Sequence, residues 1–141
     1  MLDEAKPGVP LPYVRHMLLC DDARPSRTNP RKVDVFGLLS TIRVERNASD
    51  FPVGCSLAVY VVLTEGRGRG AARLAIRAAE SGDVCYAGVS HPIVFGGDPL
   101  RAYSYLFRIT HCEFPSPGLY WVEFRFNEVT LSREPLLVQV R

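Results

Sequence analysis

Few residues in this chain could do chemistry. Four cysteines, Cys20, Cys55, Cys85 and Cys112, stand 35, 30 and 27 positions apart. No two form a Cys-x-x-Cys pair, which excludes the zinc-ribbon and thioredoxin motifs. Each lies in or beside an apolar run, where a thiol acts as a small hydrophobe. Four reduced, mostly buried thiols are expected; if oxidised, four cysteines allow three pairings. Catalysis by a thiolate needs a base beside it. The histidines are His16, His91 and His111. His111 and Cys112 are adjacent, so in a strand their side chains leave on opposite faces and do not cooperate. His91-Pro92 is expected in a turn.

Asp21 and Asp22 are adjacent, with His16 before them and Asp34 beyond a polar stretch. Clustered carboxylates on loops can supply the several oxygens a hard cation such as Ca²⁺ requires. The competing reading is a turn in which the carboxylate bonds nearby backbone, and this is the one adopted. Gly66-Arg67-Gly68-Arg69-Gly70, and Arg24, Arg27, Arg31 and Lys32, could touch phosphates. Between two apolar runs, the Arg-Gly segment reads more simply as a loose hairpin loop. The chain has neither the phosphate-cradling Gly-x-x-x-x-Gly-Lys pattern nor the Gly-x-Ser-x-Gly nucleophile motif. No catalytic, cofactor-binding or metal-binding residue is assigned.

Trp121 is the chain's one tryptophan. If Tyr120 and Phe124 face a core, then Leu119, Trp121, Glu123 and Arg125 face outward. Trp, Tyr and Arg are the usual anchors of protein interfaces. With Tyr60 on the outer side of another strand, Trp121, Leu119, Arg125 and Tyr60 are the expected partner-binding residues. A covering loop, residues 21–32 or the N-terminal arm, is the alternative fate of Trp121.

The elements that must position these residues are strands. Residues 1–12 read as a flexible, Pro-rich arm and 13–141 as one domain. Apolar runs of strand length follow at 13–20, 33–46 (bent near Gly37) and 55–64, with a polar loop at 21–32. In the third run Leu57, Val59, Val61 and Leu63 alternate onto one face. Its other face, with Ala58, Tyr60 and Val62, is also apolar, which suits a central strand. Residues 71–80 have helix propensity, yet Ala72, Leu74, Ile76 and Ala78 alternate with Arg73, Ala75 and Arg77. A strand is favoured, closed by a hairpin at Ser81-Gly82-Asp83 into 84–89. Further strands are expected at 103–111, 119–126 and 136–140, with a hairpin tip at Asn127-Glu128. The expected fold is all-β: one immunoglobulin-like antiparallel β-sandwich of seven to eight strands, since two sheets must cover each other's apolar faces. Pro117-Gly118-Leu119-Tyr120-Trp121-Val122 resembles the tyrosine-corner strand of such sandwiches, with Val122 in the core position.

Composition bounds the function. The chain has 141 residues, 47% apolar and 23% charged, the make-up of one folded domain. Its net charge of +2 and pI of about 8.4 are too mild to point to nucleic acid. Of 17 basic residues all but Lys6 and Lys32 are Arg, a skew that reads as codon composition. The first residues lack the apolar stretch of a secretory signal, and no apolar run is long enough to span a membrane. A reducing cytoplasm is the expected compartment, where Asn47-Ala48-Ser49 would be a plain turn rather than a glycosylation acceptor.

Leu18-Leu19-Cys20-Asp21-Asp22, Val35-Phe36-Gly37-Leu38-Leu39-Ser40-Thr41-Ile42, Phe114-Pro115-Ser116-Pro117-Gly118-Leu119-Tyr120 and Pro135-Leu136-Leu137-Val138 together resemble a group of small bacterial proteins, the domain of unknown function 6941. The resemblance covers about residues 14–140. It implies a compact bacterial β-sandwich and no activity, cofactor or catalytic residue. The expected role is a non-enzymatic protein-binding or assembly module, docking a protein partner or a second copy through an outer sheet face or edge strand. A metal-dependent or ligand-binding protein using loop carboxylates, and a nucleic-acid adaptor using Arg-rich loops, are the alternatives.

Overall fold

The computed structural model describes residues 10–45 and 51–140. Most of the expected arm, and Asn47-Ala48-Ser49, lie outside the described residues. What is described is all-β. The strands are β1 (Tyr13–Cys20), β2 (Asp22–Pro25), β3 (Val33–Phe36), β4 (Thr41–Val44), β5 (Val53–Thr64), β6 (Arg69–Ala78), β7 (Val84–Ala87), β8 (His91–Val94), β9 (Tyr103–Phe114), β10 (Gly118–Phe126) and β11 (Val129–Val140). A small sheet has the order β1-β5-β9. A large sheet runs β4-β11-β10-β6-β7, with β8 also paired to β6, and β2-β3 form a separate hairpin.

Among the described residues the expectation of seven to eight strands is corrected to eleven, in three sheets. The surplus comes from short strands with weak patterns. The run 33–46 is not one strand: Gly37 adopts φ +63°, a left-handed conformation natural to glycine, and β3 and β4 go to different sheets. The supposed loop 21–32 contains β2, whose Asp-Ala-Arg-Pro sequence carries little strand propensity. His91-Pro92 opens β8 rather than a turn; Pro fits there because the strand is paired on one side. The last strand starts at Val129, seven residues before the expected 136.

Strong alternation was read correctly. Residues 71–80 fall mostly within strand β6, and Ala72, Leu74 and Ile76 are buried on its inner face. Strand β5 is central in the small sheet, between β1 and β9, as its two apolar faces require. Its inner residues Leu57, Val59, Val61 and Leu63 join Tyr120, Val122, Phe124 and Phe126 of β10 in one core. Rings cross from sheet to sheet: Phe107 lies 5.9 Å from Phe124, and Phe114 lies 4.8 Å edge-on from Tyr120.

Turns fix how the large sheet is hung. Asn127 and Glu128, at φ +50° and +66°, make the tight turn from β10 to β11. Asn127 Oδ1 accepts the Ala71 N–H at 3.0 Å, tying that turn to β6. Before β10, the Tyr120 hydroxyl donates to the Ser116 carbonyl at 2.6 Å. The Arg-Gly segment is more anchored than expected: Phe95 N–H donates to Gly68 O, and Glu65 N–H to Pro99 O, both at 2.8 Å. Strand β4 runs parallel to β11, Thr41 beside Leu137.

Candidate functional site

The outer face of the large sheet is built around β10, which lies between β11 and β6. With Tyr120, Val122, Phe124 and Phe126 in the core, alternation turns Leu119, Trp121, Glu123 and Arg125 outward. Register sets Arg77 of β6 and Pro135 of β11 on either side of Trp121. The Arg133 guanidinium lies over the Trp121 ring, 4.0 Å from its centroid, a cation–π contact that holds the indole against the sheet. Leu119 is 40% exposed beside it. A shallow hollow bordered by Ala79, Ser81, Pro117 and Leu119 opens at that end of the face.

Charge on this face is uneven. Register gives it Arg73 and Arg77 from β6, Arg125 from β10, Arg133 from β11 and Arg43 from β4. Glu123 is buried between two of them, 3.0 Å from Arg125 and 3.6 Å from Arg77. Glu128 pairs with Arg73 at 2.5 Å. Arg73 and Arg125 are directly opposite in register, a like-charge cross-strand pair that weakens a sheet. The Nε atoms of both are buried without a hydrogen-bond acceptor. Each of the two is paired with a carboxylate, Arg73 with Glu128 and Arg125 with Glu123, so the face is basic and internally paired around its aromatic centre.

The four expected partner-binding residues do not share one surface. Trp121, Leu119 and Arg125 lie together on β10, whereas Tyr60 is on β5 in the other sheet, its hydroxyl bonded to Ser104 Oγ at 3.1 Å. Alternation in both strands was legible, but which strands share a sheet was not. The β2-β3 hairpin packs at the small sheet, where Asp22 reaches Arg108 of β9, and so does not cover Trp121.

The other candidates are committed elsewhere. The Asp22 carboxylate accepts from Arg108 at 2.7 Å and from Ala23 N–H at 2.9 Å, with Arg24 at 3.3 Å. The Arg108 hydrogen bond, more than any other influence, holds its carboxyl below the usual carboxylate range. Asp21 sits against Gly37, where an added Cβ would run into its carboxylate. His16 is exposed on β1, and His111 is exposed while Cys112 beside it is buried, so that pair does face opposite ways. Among the described residues no three His, Cys, Asp or Glu side chains are arranged to hold a metal ion. All four cysteines are free thiols; Cys20 and Cys112 are buried, Cys55 and Cys85 half-buried. Burial pushes the Cys20 and Cys55 thiols up.

No helix among the described residues is long and apolar enough to cross a membrane. A search of curated proteins returns no match to the chain. A family model does match, over residues 15–139, nearly the whole domain and the same stretch that carries the four motifs quoted above. The chain belongs to the family of unknown function DUF6941.

Proposed function

We propose that this chain is a non-enzymatic protein-binding or assembly module of a bacterial cytoplasmic protein, and that it docks its partner through the outer face of the large sheet. One observation carries this reading: Trp121, stacked by Arg133 beside exposed Leu119, stands in the middle of an arginine-rich face that the β2-β3 hairpin leaves uncovered. Trp and Arg in such a setting are the residues that dominate binding energy at interfaces. Free thiols suit a reducing compartment.

The scaffold we infer is immunoglobulin-like. Three features support it: a β1-β5-β9 sheet against β4-β11-β10-β6-β7, a β4 strand parallel to β11, and a tyrosine at the start of β10 bonded to backbone four residues upstream. Edge strands and outer faces are the surfaces such a scaffold offers to partners.

The test is to isolate the tagged protein gently from its own cells, with its native mass and co-purifying species read by mass spectrometry. A stoichiometric protein partner or a homodimer is expected. Trp121→Ala should weaken that assembly about tenfold or more while the fold persists. An unchanged assembly in that variant, or a monomer carrying only a small molecule, overturns the reading.

A further inference from the structure

The ion pairs on the outer face of the large sheet leave part of its charge unanswered. Register and alternation bring six arginines to that side: Arg43 of β4, Arg69, Arg73 and Arg77 of β6, Arg125 of β10 and Arg133 of β11. Against them the strands set one carboxylate, Glu123, while Glu45 and Glu128 follow the ends of β4 and β10. Arg73 pairs with Glu128, and Arg77 and Arg125 share Glu123. Arg43, Arg69 and Arg133 are exposed, and among the described residues none of the three is in an ion pair. The whole chain carries only +2, so positive charge is concentrated here.

Two of these exposed arginines bracket an apolar strip. Arg133, Pro135, Leu137 and Gln139 follow one another along the outward side of β11, and Arg43 lies opposite Gln139. Trp121 is opposite Pro135, and Leu119 is opposite Leu137. The rise of a strand sets Arg133 and Arg43 about 20 Å apart along its direction, with these four apolar residues between them.

Resting on the docking role proposed above, we infer that the partner is an acidic protein segment, bound extended, whose apolar side chains meet Trp121, Leu119, Pro135 and Leu137 and whose flanking carboxylates pair with Arg133 and Arg43. Carboxylates about six residues apart in an extended chain match that separation. Complementary charge at the ends of the strip fixes register and speeds encounter, and the apolar middle supplies the buried contact. A second copy laid face to face brings the same arginines and no unpaired strand carboxylate to meet them, which disfavours a homodimer through this face. Nucleic acid is disfavoured because the Arg133 guanidinium, 4.0 Å from the ring centroid, takes the face of Trp121 on which a base would stack.

The test is fluorescence anisotropy of the whole protein with a labelled synthetic peptide in which Glu residues flank a Leu-Phe-Leu centre. The comparison probes are the same peptide with Gln for Glu and a single-stranded oligonucleotide. The Glu peptide should bind at least about tenfold tighter than either, and should weaken as salt rises from about 50 to about 500 mM. Arg133→Glu and Arg43→Glu should each weaken it at least about fivefold, and Arg43 is far enough from the indole to separate charge from ring packing. Arg133→Lys should keep most of the binding, and Arg27→Glu, on the β2-β3 hairpin, should keep all of it. Equal binding of the Gln peptide, tighter binding of the oligonucleotide, indifference to salt or to both charge reversals, or no binding of the Glu peptide overturns the inference. A native assembly that Trp121→Ala disrupts but neither charge reversal affects, or a homodimer through this face, overturns the acidic partner and leaves the docking role standing. An assembly unchanged in Trp121→Ala overturns both.

Discussion

At the scale of single residues, hydrogen bonds between distant positions decide what each group can do. Asp22 could have been read as a cation ligand, but Arg108, 86 positions away, occupies its carboxylate. Because the folded carboxyl titrates below its ordinary value of 3.8, its stabilising effect is complete above that pH and disappears as the pH falls through the folded value. Asp22→Asn should therefore be less stable than wild type at neutral pH, with the gap closing in acid below about pH 3.8. Thermal melts across that range check it, and a gap that persists in strong acid contradicts the pairing. Tyr120 is the second case. Its ring is core and its hydroxyl reaches Ser116 O, so Tyr120→Phe keeps the packing and removes one bond. Urea unfolding should show a loss of about 1–2 kcal/mol.

At the scale of elements, alternation was readable where a strand was long and packed on the core, and mostly unreadable where it was short, the four-residue edge strand β7, expected within 84–89, being the exception. The Ala72, Leu74 and Ile76 row overrode a helix-prone composition in β6 because neighbouring strands β10 and β7 give it partners on both sides. Strands β2, β3, β4 and β8 have four residues each, too few for a period to stand out. Their existence depends on pairing: β4 on β11, β8 on β6, and β2 with β3. One glycine shows how close these elements run. A Cβ on Gly70, in β6, would lie 2.2 Å from the Phe126 ring on neighbouring β10, and that ring is fully enclosed. Gly70→Ala should cost about 1–3 kcal/mol through overpacking, read as a lower urea midpoint at unchanged slope. A neutral result would mean that Phe126 can yield.

At the scale of the whole molecule, two sheets share one core and leave two outer faces with different fates. The small sheet's outer face is partly covered, with outward Ala58 only 1% exposed near the β2-β3 hairpin. The large sheet's outer face carries Trp121, Leu119 and the arginines. Core and face should therefore respond differently to truncation. Phe124→Ala, at the centre of the inter-sheet contact, should lose about 3–5 kcal/mol, a large part of a domain's total stability. Leu119→Ala should stay within about 0.5–1 kcal/mol, since little is buried there to lose. Equilibrium unfolding of both variants checks the contrast, and comparable losses would mean that the face is packed rather than open.

The amino-acid sequence by itself determined the all-β class, the long strands, their inward faces and the outward set of Leu119, Trp121 and Arg125. These are local properties, written in the period-two alternation of apolar residues along each strand. Tertiary structure alone decided which strands share a sheet. It set Tyr60 and Trp121 on opposite faces and gave Asp22 to Arg108. Those outcomes depend on pairing between segments far apart in the chain, and a strand's own pattern says which face is buried without saying against what.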